Sequence, residues 1–119
     1  MPEIACGWGT ELEHVGGWLV FRLFTYGDNR AGEPPVAEAL LGIAESQQQF
    51  RVIVEPAPEV AFRSHLVGQF ITLHKRLHLK GGALRLSGVS ACNYDVIRLM
   101  RLTDQIPSFP DRHTAMQSH

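Results

Sequence analysis

Cysteine is scarce in this chain, as are long apolar runs and any excess of charge of one sign. The 119 residues include only Cys6 and Cys92. Two cysteines are too few for a disulfide framework, and their spacing matches no metal-binding pair, so free thiols are expected. The 11 basic and 12 acidic side chains leave a formal net charge of -1. This balance gives no electrostatic reason to expect a nucleic-acid or membrane partner.

No stretch of the sequence is long and apolar enough to predict a membrane span. The longest apolar run, Trp18 to Phe24, is interrupted by Arg22 and is far shorter than the roughly 20 residues that a spanning helix needs. The N-terminus has neither a basic start nor a long apolar run, so a secretory signal is not expected and a cytoplasmic location follows. With 45% apolar residues, the length fits one hydrophobic core and therefore a single domain over residues 1–119.

Strand patterns alternate with helix patterns along the chain. Runs rich in β-formers predict five strands, at Thr10–His14, Trp18–Phe24, Phe50–Val54, Ala83–Ser87 and, as a short piece, Ser108–Phe109. Apolar residues at helical spacing predict helices near Pro35–Ser46, over Ser64–Leu79, from Ser90 as the cap of a third helix, and for a last turn from Asp111. Gly16-Gly17 indicates a hairpin turn, and Gly81-Gly82 a left-handed helix stop. The expected fold is α/β (α+β), a mixed sheet of four to five strands with three to four helices packed on it.

The order and spacing of these features resemble a known family. After the buried strand Arg51–Glu55 comes the four-residue segment Arg63-Ser64-His65-Leu66, which we call the slot, and Gly68 lies inside the helix start. Further along stand Leu73-His-Lys-Arg-Leu77, Gly81-Gly82, the strand Ala83–Ser87, Gly88-Val89-Ser90 and Val96-Ile97-Arg98-Leu99-Met100. From Phe50 to the C-terminus the chain is similar to the STAS family, named for sulfate transporters and anti-sigma factor antagonists. The N-terminal half fits more loosely, with Tyr26-Gly27-Asp28 where the family often has a Gly-Glu-Leu-Asp-like turn.

The resemblance implies partner switching in a bacterial signalling pathway that regulates transcription. In that scheme the antagonist binds an anti-sigma factor kinase, frees the sigma factor, and is turned off by phosphorylation at the start of the long helix. Here the family's aspartate falls on Arg63, its first serine on Ser64, its phosphoacceptor on His65 and the following glycine on Leu66. A serine kinase cannot phosphorylate histidine at the acceptor position, so the usual switch is expected to be missing. Ser64 is the fallback phosphorylation candidate.

We therefore predict a non-catalytic regulator that binds a protein partner through the loop and first helical turn. The predicted contact residues are Arg63, Ser64, His65, Leu66 and Val67. Ser64 is also predicted to be the N-cap of the long helix, with its hydroxyl bonded to a backbone N–H. A homodimer is left open. Two alternatives remain: a scaffold subunit resembling stressosome components, and a small nucleotide-binding or hydrolytic domain.

Motifs for catalysis and for cofactors are missing from the sequence. It contains no phosphate-binding Gly-x-x-x-x-Gly-Lys loop, no nucleophile elbow around a serine and no Cys-x-x-Cys pair. His74 and His78 are four residues apart on one helix face, a spacing that binds a divalent metal only when further ligands come from elsewhere. Because no such ligand is evident, these histidines are weak metal candidates. We expect no enzyme activity, no cofactor and no metal.

Overall fold

A computed structural model describes residues 3–5, 8–25 and 35–117. In chain order the described elements are β1 (Glu3–Ala5), β2 (Trp8–Val15), β3 (Trp18–Thr25), α1 (Val36–Gln47), β4 (Arg51–Pro56), α2 (Ser64–Leu79), β5 (Ala83–Ser87), α3 (Ala91–Leu99), β6 (Ser108–Phe109) and α4 (Arg112–Gln117). The predicted α/β architecture of a mixed sheet with packed helices is confirmed. β1 is an additional short edge strand. Cys6 and the family-like turn at Tyr26-Gly27-Asp28 lie outside the described residues.

The sheet follows the order of the chain, from β1 to β6. β1 and β3 each pair antiparallel with β2, whereas the pairs β3–β4, β4–β5 and β5–β6 are parallel. The predicted hairpin between β2 and β3 is confirmed, and its turn residues Gly16 and Gly17 have φ angles of 53° and 83°. Positive φ at both central residues is typical of the tight turn whose twist matches its flanking strands. Because parallel neighbours need crossover connections, helices α1 to α3 follow β3, β4 and β5.

One face of the sheet carries the main core. Alternate residues of the central strands point to this face, and they pack with the apolar stripes of α1 and α2 and with Ile97 of α3. The strand residues are Leu19, Phe21, Leu23, Val52, Val54, Leu84 and Leu86. The helical spacing predicted for α2 is confirmed, since Leu66, Val67, Phe70, Leu73 and Leu77 are its buried residues.

The other face of the sheet is covered in part by α4. Ala115 packs there against Trp18, Val20 and Ile53. Arg112 donates from Nε and Nη2 to the two carboxylate oxygens of Glu55, at 3.0 and 2.7 Å. A third bond, from Nη1, reaches the carboxylate of Glu13 at 2.5 Å. Paired, bidentate contacts of this kind fix geometry more firmly than single charged contacts, so α4 is held across β2 and β4.

Two helix starts take their capping partners from different places. Ser90 caps α3 as predicted, accepting a hydrogen bond from the backbone N–H of Asn93 at 3.3 Å. α1 begins after Pro35 with no side-chain cap of its own. Instead, the Oε1 of Gln69 in α2 accepts from the N–H of Ala37 at 2.9 Å, which satisfies one otherwise unpaired donor. Among the described residues, no helix combines the length and apolarity needed to cross a membrane.

Candidate functional site

The predicted contact segment begins α2, directly after the loop of residues 57–63 that leaves β4. This segment therefore lies at the carboxyl end of β4, where the carboxyl ends of the parallel strands meet at one edge of the sheet. In open α/β sheets this edge is where ligands usually bind. Arg63 and Ser64 are exposed and His65 is half-buried. These three residues form what we call the α2 turn.

Two of the five predicted contact residues do not belong to this surface. Leu66 is 3% exposed and Val67 is fully buried, and both pack in the main core. Their burial does not fit the predicted contact with a partner, because neither side chain is accessible in the free domain. The physical reason is helical periodicity, because residues 66 and 67 share the face of α2 that also buries Phe70.

The predicted role of Ser64 as N-cap is also wrong. Arg63 occupies the cap position, with extended backbone angles of φ -91° and ψ 168°, and its side chain makes no capping hydrogen bond. The carbonyl of Arg63 accepts the first helical bond, from the N–H of Val67 at 3.0 Å. Ser64 is the first helical residue, exposed to solvent, and its hydroxyl is not engaged as a cap. The exposed α2 turn therefore offers a hydroxyl, a guanidinium and backbone N–H donors at the positive end of a helix.

A buried asparagine of α3 holds the loop that leads into the α2 turn. The Oδ1 of Asn93 accepts from the N–H of Phe62 at 2.9 Å, and its Nδ2 donates to the carbonyl of Val60 at 2.7 Å. Asn93 is 7% exposed, so both bonds are shielded from water. The ring of Phe62 packs edge-on against Phe70, with 5.3 Å between the centroids. The loop is therefore held by Asn93 and by Phe70 just before the α2 turn.

Asn93 was not identified from the sequence as a site residue. Its partners lie 31 and 33 residues away along the chain, so no local pattern links them. The one local signal is an asparagine in the first turn of a helix, where its side chain often bonds to the backbone.

His74 and His78 stack on α2, with 6.1 Å between ring centroids and 29° between ring planes. Within residues 3–5, 8–25 and 35–117 no group of three or more His, Cys, Asp or Glu side chains could hold a metal ion. The Nδ1 of His74 is buried without a hydrogen-bond partner. Partial burial lowers the pKa of His74, and the nearby charges of His78 and Lys75 lower it further. The pair thus favours a neutral imidazole at position 74.

Replacing His74 by glutamine should make the domain less sensitive to acid. Because the folded state lowers the pKa of His74, the unfolded chain binds its proton first. Stability is therefore expected to fall as the pH drops below about 6.5, the ordinary histidine value. Urea unfolding between pH 7.5 and 5 should show a shallower decline for His74→Gln than for the wild type. His14→Gln, at an exposed position of β2, is the control, and equal slopes for His74→Gln and wild type would contradict the assignment.

A cleft of about 360 Å³ opens at the same edge of the sheet, on the side of α4. Its walls include Arg22, Glu55, Pro58, Ser87, Gly88 and Arg112. The Ser87 hydroxyl donates to Glu55 Oε2 at 3.2 Å, and Glu55 also pairs with Arg112. These polar groups satisfy one another, and the described lining has no histidine or cysteine beside the serine. The cleft shares the loop after β4 with the α2 turn.

Comparison with known proteins supports the fold. No protein-family model matches the chain, and no curated protein matches it significantly. The structure is similar to the NMR structure of the protein TM1081, with a TM-score of 0.73. The match covers 90% of this chain and 85% of that one, at 12% sequence identity. At this identity the likeness concerns the arrangement of strands and helices alone.

Proposed function

We propose that this domain is a protein-binding regulator resembling an anti-sigma factor antagonist, acting without catalysis in a bacterial partner-switching pathway. The observation that carries the proposal is the α2 turn. Arg63, Ser64 and His65 project at the carboxyl edge of the sheet, on a loop that Asn93 holds in place. A surface that is ordered before binding loses little conformational entropy when a partner docks, which favours recognition. The partner is an anti-sigma factor kinase, and the location is the cytoplasm.

The arrangement of the elements supports this proposal. The resemblance drawn from the sequence rests on a buried strand, a short slot, a long helix, a glycine pair and a following strand. In the structure these features are β4, the α2 turn, α2, Gly81-Gly82 and β5. The slot therefore stands at the exposed start of the long helix, where the family's switch would lie. A scaffold subunit of a larger assembly would use the same surface constitutively.

The proposed regulator lacks the usual phosphorylation switch. The family's acceptor position is His65, and Arg63 replaces an acidic residue. Ser64 is the residue at which phosphorylation is best tested, because its exposed hydroxyl is not held as a cap. A phosphate there would also meet the positive end of α2. Incubation with anti-sigma kinases and ATP, followed by mass mapping, is expected to leave residues 63–65 unmodified. Stoichiometric phosphate on Ser64 that abolishes partner binding would show that the switch has moved by one residue.

Affinity capture from the native cells tests the proposal itself. Wild-type domain should retain a partner that Arg63→Glu loses, because the substitution reverses the charge of the first residue of the α2 turn. The matched control is Arg76→Glu, the same change at an exposed position three turns along α2. Leu66 is unsuitable for such a test, because a carboxylate placed in the core would unfold the domain. Equal capture by the wild type and Arg63→Glu would show that the binding surface is elsewhere.

A further inference from the structure

In the described part of the chain, two arginines that have no acidic partner both lie against the ring of Trp18, at the amino edge of the sheet and on the face that carries α4. The guanidinium carbon of Arg51 lies 4.3 Å from the ring centroid of Trp18. That of Arg85 lies 4.7 Å from the same centroid and 5.7 Å from the ring of Phe109. Because both guanidinium carbons lie close to the same ring, the distance between them is at most the sum of their two distances to its centroid.

The strand register produces this cluster. Leu19 pairs with Val52, and Arg51 with Ala83, so Trp18 and Arg51 begin adjacent strands at the amino edge of the sheet. Arg85 lies two residues after Ala83 in β5, and its side chain extends towards Trp18. One of its five N–H donors is used by the carbonyl of Ala115 in α4. The remaining donors of Arg85, and the exposed head of Arg51, are available to a ligand.

The electrostatics of the cluster are unfavourable without an anion. In the described part of the chain the salt bridges are Arg98 with Asp95 and Arg112 with Glu13 and Glu55, so Arg51 and Arg85 have no carboxylate partner there. Partial burial lowers the pKa of Arg85, and the charge of Arg51 lowers it further. The aromatic ring compensates in part, because a cation is attracted to the face of an indole. The two positive charges still repel each other, and a bound anion would neutralise them.

We infer that Arg51 and Arg85 bind a phosphate group, either as inorganic phosphate or as the monoester of a small molecule. The planar guanidinium fork matches phosphate oxygens, and two forks match a tetrahedral dianion better than a carboxylate, whose two oxygens one fork already satisfies. Trp18 is only 2% exposed, and its contact with both guanidinium groups restricts their planes, so less side-chain entropy is lost on binding. This site is at the amino edge, whereas the α2 turn is at the carboxyl edge, so either proposal can fail alone.

The test is an NMR titration that follows the indole N–H signals. The chain has two tryptophans, and Trp8, which packs in the main core on the other face, serves as the internal reference. Inorganic phosphate and glycerol phosphate are added separately at low ionic strength, with sodium chloride matched for ionic strength as the blank. A saturable shift of Trp18 with Trp8 unmoved is expected. Tighter binding of glycerol phosphate than of phosphate would identify an ester, and the reverse would identify the free anion.

Substitutions connect the shift to the two arginines. Arg51→Gln should weaken binding about tenfold or more, the loss expected for one charge-assisted contact. It leaves the bond from Arg85 to α4 intact, so the fold is expected to persist, and the unchanged Trp8 signal checks this. Arg85→Lys keeps the charge but loses the fork and should also weaken binding, whereas Arg76→Gln should not. A Trp18 shift that sodium chloride reproduces, or that Arg51→Gln leaves unchanged, overturns the inference.

Discussion

Gly82→Ala is expected to lower the free energy of unfolding by about 3 kcal/mol, near the upper end for overpacking. A Cβ at this position would lie 1.9 Å from the backbone carbonyl oxygen of Phe50. The close approach is fixed on both sides, since Gly82 donates to the carbonyl of Leu77 at 2.8 Å and Ala83 donates to that of Phe50 at 3.0 Å. A backbone atom held by hydrogen bonds cannot move aside as a flexible side chain can. Urea unfolding of the variant measures the loss.

The control for this prediction is Gly68→Ala, the same change within α2. A Cβ there meets nothing within 4 Å, and alanine is favoured over glycine inside a helix by about 1 kcal/mol. Gly68→Ala is therefore expected to raise the free energy of unfolding. Equal stability of the two variants would mean that the junction between α2 and β5 is looser than the structure has it.

Asn93→Ala is expected to cost about 3 kcal/mol and to weaken partner binding. The substitution leaves the N–H of Phe62 and the carbonyl of Val60 buried without partners, and each such group costs about 1–3 kcal/mol. The loop before the α2 turn would then lose its attachment to α3. Unfolding by urea gives the stability, and the affinity for the captured partner gives the effect on the surface.

The control for Asn93 is Ser90→Ala, which removes the cap of the same helix. Loss of a cap costs about 1 kcal/mol and leaves both bonds from Asn93 to the loop in place. Ser90→Ala should therefore reduce stability moderately and preserve partner affinity. If both variants reduce affinity equally, general destabilisation explains the effect, and the positioning role of Asn93 is wrong.

The elements of the fold could be predicted because their signals are local. Apolar spacing marked α2, the Gly16-Gly17 pair marked the hairpin, and Ser90 marked the start of α3. Gly81 was expected to end α2 in a left-handed conformation, and its φ is 78°. Gly82 is glycine for another reason, since it faces the carbonyl of Phe50 more than thirty residues earlier. That contact depends on the register between β4 and β5 and has no local signature.

The candidate site was predicted less well, for two physical reasons. The helical spacing that identified α2 already placed Leu66 and Val67 on its buried stripe, yet the resemblance to a family slot put them on the contact surface. The periodicity was the better guide to exposure. The cap was misplaced by one residue, from Arg63 to Ser64, because either residue can precede the same apolar pattern. The support from Asn93 and the pairing of Arg112 with Glu55 join distant segments, which a single sequence does not reveal.

If the proposed function is right, a protein partner contacts the α2 turn, and site-specific photocrosslinking measures that contact. A photoreactive residue is placed at position 64 in one sample and at position 76 in another, both exposed on α2, and each is mixed with the captured partner. We expect a crosslinked heterodimer from position 64, suppressed by unlabelled wild type but not by unlabelled Arg63→Glu, and none from position 76. Crosslinking from position 76 but not from position 64 would contradict the proposed function.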